Sequence, residues 1–274
     1  MPKYNLVVSD LDGTLLTSDM TLSKENSEAI EKMTKLGAKF SVSSGRTLYE
    51  IPSSVRNNVN IRYLAYSNGT AIYDKALRRD IYSSRISRED TEIIFQILKD
   101  YDVIVAVHAE GNSYFPHKQA TSEILDRYQV NEYYKEIFFR TVDCESIDEK
   151  AQNPDGLEAI VLFFSSDAEL SECRDRLLAL GTVTVTSSIE HNLELCSKSA
   201  GKGKTLEYLI ENLGLAKETV IAVGDNTNDV SMFSAAGLSL CVKDGREDAK
   251  ARADKVICTS REHVARYILE HYFE

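Results

Sequence analysis

Short apolar runs alternate with amphipathic stretches in the first part of the chain. Residues 6–8 form one such apolar run, and polar residues with a glycine follow it at once. A run that ends in this way indicates a buried strand leading into a loop. Residues 22–36 carry apolar side chains at helical spacing, and Gly37 is suited to end a helix there. Residues 39–42 and 63–66 predict two further strands.

The connections between these strands indicate the fold class. A second helix is predicted from Thr47 past Pro52, since proline is tolerated in the first turn of a helix. Asn68-Gly69 lies between two β-prone stretches and predicts a hairpin turn, with 70–73 as the returning strand. Strands that alternate with helices in this order predict a Rossmann-like α/β fold with a doubly wound parallel sheet.

The pattern changes after the third strand of this sheet. Helices and strands continue, but none of these strands ends in an acidic cluster. We therefore predict a second, smaller α/β domain at residues 84–190, inserted between core parts 1–83 and 191–274. Linkers are expected near Ser83 and around Ser188, and residues 193–196 are predicted as the next strand of the core.

Two acidic clusters follow apolar runs that are far apart in the sequence. Asp10-Leu11-Asp12-Gly13 follows the first strand, and Gly224-Asp225-Asn226-Thr227-Asn228-Asp229 follows the run 220–223. Ligands of open α/β sheets bind at the carboxyl ends of the strands, so the two clusters predict one cation-centred site. A turn at Asp12-Gly13 with Asp10 as a helix cap would explain the first cluster, but it leaves the second unexplained.

Other predicted loops add hydrogen-bond donors to the same edge. Ser44-Gly45-Arg46 follows the second strand, Asn68 follows the third, and Lys202 precedes a helix that starts near Thr205. Carboxylates with a hard cation and such donors are typical of phosphoryl transfer. Oxygen ligands without a His or Cys cluster favour Mg²⁺.

Several of these residues have simpler interpretations. Ser44 can serve as a turn former, Arg46 can pair with a surface acid, and Asn68 can serve the hairpin alone. Gly203-Lys204-Thr205 is similar to the end of a P-loop, but Lys198 stands where the earlier glycine is needed. We therefore expect Lys204 to be solvated.

Composition limits the class of partner. The chain has 274 residues and a net charge of −11, which argues against binding to nucleic acid or to an anionic membrane. No apolar run is long enough for a membrane span, and the N-terminus contains no signal-peptide core. The five cysteines are scattered, as expected for reduced thiols in a cytoplasmic protein.

Four motifs, taken in order, resemble those of the haloacid dehalogenase superfamily. They are Asp10-Leu11-Asp12-Gly13-Thr14-Leu15, Ser43-Ser44-Gly45-Arg46, Gly201-Lys202-Gly203 and Gly224-Asp225-Asn226-Thr227-Asn228-Asp229. The chain is most similar to the Cof-type phosphatases, which carry a large α/β cap where the insertion is predicted here. The first and last motifs together are highly specific, and the resemblance spans the core from end to end.

The resemblance implies a role for each motif residue. Asp10 would be the nucleophile and a ligand of Mg²⁺, and Asp12 would be the general acid and base, with its carbonyl on the metal. The remaining metal ligands would be Asp225, together with Asn226 and Asp229 through water. The phosphoryl oxygens would be held by Leu11, Ser44, Gly45, Lys202 and Asn228. Arg46 is a candidate for contacting the substrate.

The predicted function is Mg²⁺-dependent hydrolysis of small organic phosphates, such as sugar phosphates or phosphorylated cofactors, through an aspartyl-phosphate. The partner would be a small phosphorylated metabolite, and the protein a monomer or a weak homodimer. A phosphosugar mutase would use the same nucleophile. A receiver-like regulator would lack the second carboxylate and the insertion, and a phosphate-binding regulator without activity would not need the catalytic residues.

Overall fold

The computed structural model describes residues 2–187 and 189–273, with the side chain of Tyr133 excluded. The chain separates into two compact units. The first contains the residues up to Ser83 and those from Gly201 onward, and the second contains Ser84–Ala200.

The elements are numbered in chain order. The described strands are β1 (Leu6–Ser9), β2 (Lys39–Ser43), β3 (Ile61–Tyr66), β4 (Ala71–Asp74), β5 (Arg79–Ser83), β6 (Val103–Ala109), β7 (Asn112–Phe115), β8 (Val142–Asp143), β9 (Ala159–Phe164), β10 (Val183–Thr186), β11 (Asn192–Ser197), β12 (Val220–Gly224), β13 (Leu238–Cys241) and β14 (Lys255–Val256). The described α-helices are α1 (Lys24–Lys35), α2 (Ser53–Arg56), α3 (Arg88–Leu98), α4 (Ser122–Arg127), α5 (Glu132–Phe138), α6 (Ile147–Ala151), α7 (Asp167–Ala179), α8 (Lys202–Asn212), α9 (Val230–Ala235), α10 (Glu247–Lys250) and α11 (Val264–Tyr272).

The first unit contains a mainly parallel sheet. Among the described residues its strand order is β14-β13-β12-β1-β2-β3-β4-β5. The ladders from β14 to β3 are parallel, whereas β4 pairs antiparallel with both β3 and β5. The predicted fold class is thereby confirmed.

The central strand β1 is buried on both faces. Leu6 and Val8 lie in the same apolar cluster as Leu206 of α8, whereas Val7 lies in the cluster that contains Ile30 of α1. Alternate side chains of a strand point to opposite faces, so helices cover both sides of the sheet. This burial explains why the sequence of β1 is a continuous apolar run.

The second unit has its own sheet. The order of its described strands is β10-β11-β9-β6-β7-β8, and every ladder except the parallel β7–β8 pair is antiparallel. Val107 of β6 and Leu162 of β9 pack in one cluster with Ile94 of α3 and Leu177 of α7. Burial of one sheet face under two helices gives this unit a core of its own.

The predicted second domain boundary at 190/191 is wrong. Residues 193–196 lie in β11, which pairs with β9 and β10 and therefore belongs to the second unit. The second unit accordingly ends at Ala200. The apolar pattern of β11 suits either sheet, and only its long-range pairing partners decide between them. Ser188 of the predicted linker lies outside the described residues.

The predicted helix from Thr47 past Pro52 is also wrong, because α2 starts only at Ser53 and Pro52 precedes it. The amide of Thr47 donates to Glu50 Oε2, and the amides of Glu50 and Ile51 donate to the Thr47 carbonyl, which closes a turn.

None of the helices in the described part of the chain has the length and apolar character that a membrane crossing requires.

Candidate active site

The two acidic clusters meet at one edge of the first unit's sheet. Asp10 directly follows β1, and Asp225 directly follows β12, its parallel neighbour, with Ser9 opposite Val223 in the register. Carboxylate oxygens of Asp10, Asp225 and Asp229 all lie within 4.8 Å of one another. The parallel pairing of two strands thus brings residues more than two hundred positions apart into one site.

Lys202 neutralises part of this charge. Its Nζ lies 2.6 Å from Asp10 Oδ1 and 2.6 Å from Asp229 Oδ1, at the first residue of α8. Lys202 is 2% exposed and Asp229 is fully buried. Burial by itself would lower the pKa of Lys202, but the attraction of the two carboxylates raises it above its usual range. The ammonium therefore stays charged at neutral pH.

The second oxygen of Asp229 holds the backbone of the same loop. Asp229 Oδ2 accepts hydrogen bonds from the amides of Asp225 (2.9 Å) and Asn226 (3.0 Å). With Oδ1 on Lys202, both oxygens of Asp229 are engaged. Asp229 therefore fixes the direction of the Asp225 loop and of the lysine at once. The Asn226 side chain accepts from the amide of Thr227.

Asp225 is oriented by the turn that follows β1. Thr14 Oγ1 donates to Asp225 Oδ1 over 2.9 Å. Gly13 has φ +76°, and a Cβ at this position would lie 2.7 Å from Asp225 Oδ2. A side chain here would be strained and would displace the carboxylate. Sequence reasoning assigned no role to Thr14, although its place in the first motif is a usable signal.

The balance of charge in the cluster suits a divalent cation. Burial raises the pKa of Asp10 well above its usual range, against the attraction of Lys202. Burial and the nearby charge of Asp229 also raise the pKa of Asp225, opposed by the Thr14 hydrogen bond. Among the described residues, the cluster holds three carboxylates and one ammonium, and the ammonium pairs with Asp10 and Asp229. An oxygen-only donor set with an excess of negative charge fits a hard ion such as Mg²⁺.

Asp12 and Arg46 form a bidentate ion pair. Arg46 Nε and Nη2 each lie 2.7 Å from an oxygen of Asp12, and Nη1 donates to the carbonyl of Glu50. Asp12 is the more exposed partner, with 41% of its side chain accessible against 22% for Arg46. The planar fork fixes the orientation of the carboxylate. Arg46 therefore contacts an acid of the site itself, not a distant surface acid.

The loops after β2 and β3 contact each other beside the cluster. Ser44 is fully buried, and its Oγ accepts from the amide of Arg46. The carbonyl of Ser44 accepts from the amide of Asn68, whose Oδ1 accepts from Asn228 Nδ2 over 3.1 Å. Gly45 faces Asn68, since a Cβ at Gly45 would lie 3.2 Å from Asn68 Oδ1. Five of the residues singled out by sequence thus form one contiguous group.

Leu11 lies at the border of the site, whereas Lys204 lies outside it. Leu11 is fully buried in the turn after Asp10, and its carbonyl accepts from the amide of Leu16. The side chain of Lys204 is 60% exposed and pairs with Glu207, so it takes no part in the acidic cluster. The expectation that Lys204 is solvated is confirmed.

The fold and this cluster define an α/β enzyme that acts on phosphoryl groups. Residues 7–268 match the haloacid dehalogenase-like hydrolase family, and the chain belongs to that family. It is a phosphoric monoester hydrolase of this family, similar to the Cof-type phosphatases.

Three comparisons illustrate the relationship. Phosphatase YwpJ of Bacillus subtilis is 28% identical, and the match covers 97% of this chain and 99% of that protein. The 5-amino-6-(5-phospho-D-ribitylamino)uracil phosphatase YwtE of the same organism is 26% identical, with 96% of each chain covered. The solved structure of the subclass IIB sugar phosphatase BT4131 has a TM-score of 0.78 at 20% identity, covering 98% of this chain and 99% of that one. This last likeness demonstrates the shared fold.

Proposed function

We propose that this chain hydrolyses small organic phosphate monoesters in a Mg²⁺-dependent reaction, through an aspartyl-phosphate on Asp10. The observation that carries the proposal is the cluster of Asp10, Asp225 and Asp229 at the ends of the adjacent parallel strands β1 and β12, with Lys202 paired to Asp10 and Asp229. Sugar phosphates and phosphorylated cofactors are the proposed substrates. The similarity to the sugar phosphatase BT4131 and to the 5-amino-6-(5-phospho-D-ribitylamino)uracil phosphatase YwtE supports this choice.

The proposed metal ligands are the carboxylates of Asp10 and Asp225 and the backbone carbonyl of Asp12. Asn226 and Asp229 would contribute through water, since both oxygens of Asp229 are already engaged. Bound Mg²⁺ would orient the phosphoryl group and offset its negative charge.

The proposed reaction has two steps, and each uses both acidic residues of the first motif. An oxygen of Asp10 attacks phosphorus in line while the bond to the ester oxygen breaks, and Asp12 gives that oxygen a proton. Asp12 then takes a proton from water, which attacks the same phosphorus and releases Asp10 with inorganic phosphate. Lys202, Ser44 and Asn228, with the Leu11 and Gly45 amides, would hold the phosphoryl oxygens during both displacements.

A panel of phosphate monoesters tests the proposal. We expect inorganic phosphate to be released from several sugar phosphates in the presence of Mg²⁺, with activity lost in EDTA and restored by excess Mg²⁺. Activity that is indifferent to EDTA would contradict the metal assignment. A stable phosphorylated protein without release of phosphate would favour a receiver-like function, and dependence on a bisphosphate activator would favour a mutase. Asp10→Asn protein from the same preparation controls for contaminating phosphatases.

Arg46 should matter most when the departing oxygen needs a proton. Because the guanidinium orients Asp12, we expect Arg46→Gln to lower kcat for an alkyl phosphate by about 10²-fold, the cost of a misplaced catalytic group. The single-turnover rate of phosphoryl transfer from p-nitrophenyl phosphate to Asp10 should fall only a few-fold, because p-nitrophenolate departs without a proton and this step does not need the base that activates water. Arg46→Lys keeps the charge but loses the fork, and it should behave similarly.

Steady-state kinetics on the alkyl phosphate and single-turnover kinetics on p-nitrophenyl phosphate provide the measurements. Arg56→Gln is the matched control, since Arg56 Nε donates to the carbonyl of Ile51 rather than to a carboxylate. Equal losses in these two rates would mean that Arg46 acts on the phosphoryl group and not through Asp12.

A further inference from the structure

The loop between β3 and β4 has an unusual backbone. Three consecutive residues have positive φ: Ser67 (48°), Asn68 (55°) and Gly69 (85°). An Asn-Gly hairpin turn accounts for positive φ at its two central residues, but not at the serine before them. Residues other than glycine are rarely held in this region unless their surroundings enforce it, and they concentrate at functional sites.

The surroundings of this loop are the backbones of two other site loops. The amide of Ser67 donates to the carbonyl of Arg46 over 2.8 Å, and the amide of Asn68 donates to the carbonyl of Ser44 over 3.0 Å. On the other side, a Cβ at Gly69 would lie 2.4 Å from the Gly201 carbonyl, next to Lys202. The loop is therefore wedged between the segments that carry Ser44 and Lys202.

The side chain of Asn68 lies at the centre of this arrangement. Its Oδ1 accepts from Asn228 Nδ2 over 3.1 Å, and its amide packs against Gly45. Asn68 is half-buried, whereas Ser67, Gly69 and Thr70 are buried. Among these four residues of the loop, Asn68 is therefore the one that a ligand can reach. Within the part of the chain that the structure describes, Nδ2 of Asn68 has no hydrogen-bond partner.

We propose that Asn68 is a further phosphate-binding residue of this site. Its Oδ1 holds Asn228 in place, and its Nδ2 donates a hydrogen bond to a non-bridging oxygen of the substrate's phosphoryl group. This inference rests on the proposed function, because it assigns the ligand of the same site. The strained backbone is maintained because it places the amide between Gly45 and Asn228.

The alternative is that Asn68 serves only the hairpin turn. Substitution by glycine distinguishes this role from phosphate binding. Asn68→Gly removes the amide but adopts positive φ without strain. Asn68→Asp keeps an acceptor for Asn228 and tolerates the same backbone, but it loses the donor and adds a charge that repels phosphate. If the hairpin were the only role, Asn68→Gly would match or exceed the wild type in both stability and catalysis.

The experiment measures KM for p-nitrophenyl phosphate, Ki for inorganic phosphate and the thermal midpoint of each variant. For Asn68→Gly we expect KM and Ki to rise about tenfold or more, the effect of losing a hydrogen bond to a charged group, with an unchanged or higher thermal midpoint. Asn68→Asp should raise Ki further. In the double variant with Asn228→Ala, Ki should rise by less than the product of the two single-variant increases, because the two side chains act as a pair.

Two results would count against the proposal, and they are distinguishable. If the wild type releases phosphate while Asn68→Gly and Asn68→Asp both keep wild-type KM and Ki, this inference fails and the proposed function stands. If the wild type neither hydrolyses monoesters nor binds inorganic phosphate in calorimetry, the proposed function fails and this inference fails with it. Should Asn68→Gly fold poorly, Asn68→Asp gives the decisive Ki.

Discussion

Asp10→Asn is expected to lower kcat by about 10⁴-fold or more on every phosphate monoester the protein accepts. The amide is a poor nucleophile, and no other side chain replaces it at the end of β1. The substitution removes one negative charge from a cluster of three carboxylates and one ammonium, and Asp229 still pairs with Lys202, so the loss of activity should not come from unfolding. Initial rates with phosphate detection, together with a thermal melt, provide the measurement.

Asp19→Asn is the matched control for this substitution. It makes the same chemical change a short distance along the chain, at an exposed residue, and should leave kcat unchanged. If Asp10→Asn kept activity within about tenfold of the wild type, nucleophilic catalysis by Asp10 would be ruled out.

Lys202→Met should affect stability and catalysis together. Asp10 and Asp229 each lie 2.6 Å from the lysine Nζ, and the substitution leaves both carboxylates buried without a counter-charge. Removing one partner of a buried ion pair costs about 3–5 kcal/mol in the free energy of unfolding. The lost donor to the phosphoryl group should lower kcat by about 10²–10³-fold besides.

Denaturant unfolding without added metal measures the first effect. Lys204→Met is the control, since Lys204 lies two positions further along α8 with its side chain 60% exposed, and its loss should cost less than about 0.5 kcal/mol. Adding Asp229→Asn to Lys202→Met should recover part of the stability, because one unpaired charge is removed. Equal unfolding free energies for Lys202→Met and Lys204→Met would show that the buried ion pairs do not stabilise the fold.

The strand-end motifs were predictable from sequence because their physical causes are local. β1 is buried on both faces, which requires a continuous apolar run, and the chain can become polar only where the strand ends. The same holds for β12 before Asp225. Parallel neighbouring strands end at the same edge of a sheet, so the two motifs could be placed together without knowledge of any long-range contact.

The remaining features depend on contacts that a local pattern does not encode. The apolar positions of β11 suit either sheet, and its pairing with β9 and β10 places it in the second unit. The turn at Thr47 is closed by the side chain of Glu50, where helical spacing alone predicts a helix. The fork between Arg46 and Asp12 joins two loops, and residue types alone left both a substrate and a surface-acid contact open for Arg46.

The role of Asn68 illustrates the same limit. Asn-Gly is a sufficient explanation of a hairpin, so the residue types alone left open whether Asn68 serves the turn only or also donates to the site. The positive φ of Ser67 and the contact with Asn228 depend on the loops after β2, β3 and β12 meeting at one edge of the sheet.

The central claim is that Asp10 is transiently phosphorylated, and trapping that species tests it most directly. Asp12→Asn keeps the nucleophile but removes the base that activates water, so it should accumulate the phosphoenzyme with an activated aryl phosphate and Mg²⁺. After an acid quench, mass spectrometry should find the added mass of one phosphoryl group on the peptide that contains Asp10, and none in the Asp10→Asn/Asp12→Asn double variant. Phosphate released by Asp12→Asn with no phosphorylated peptide at any time, or a phosphoryl group on another residue, would contradict the account.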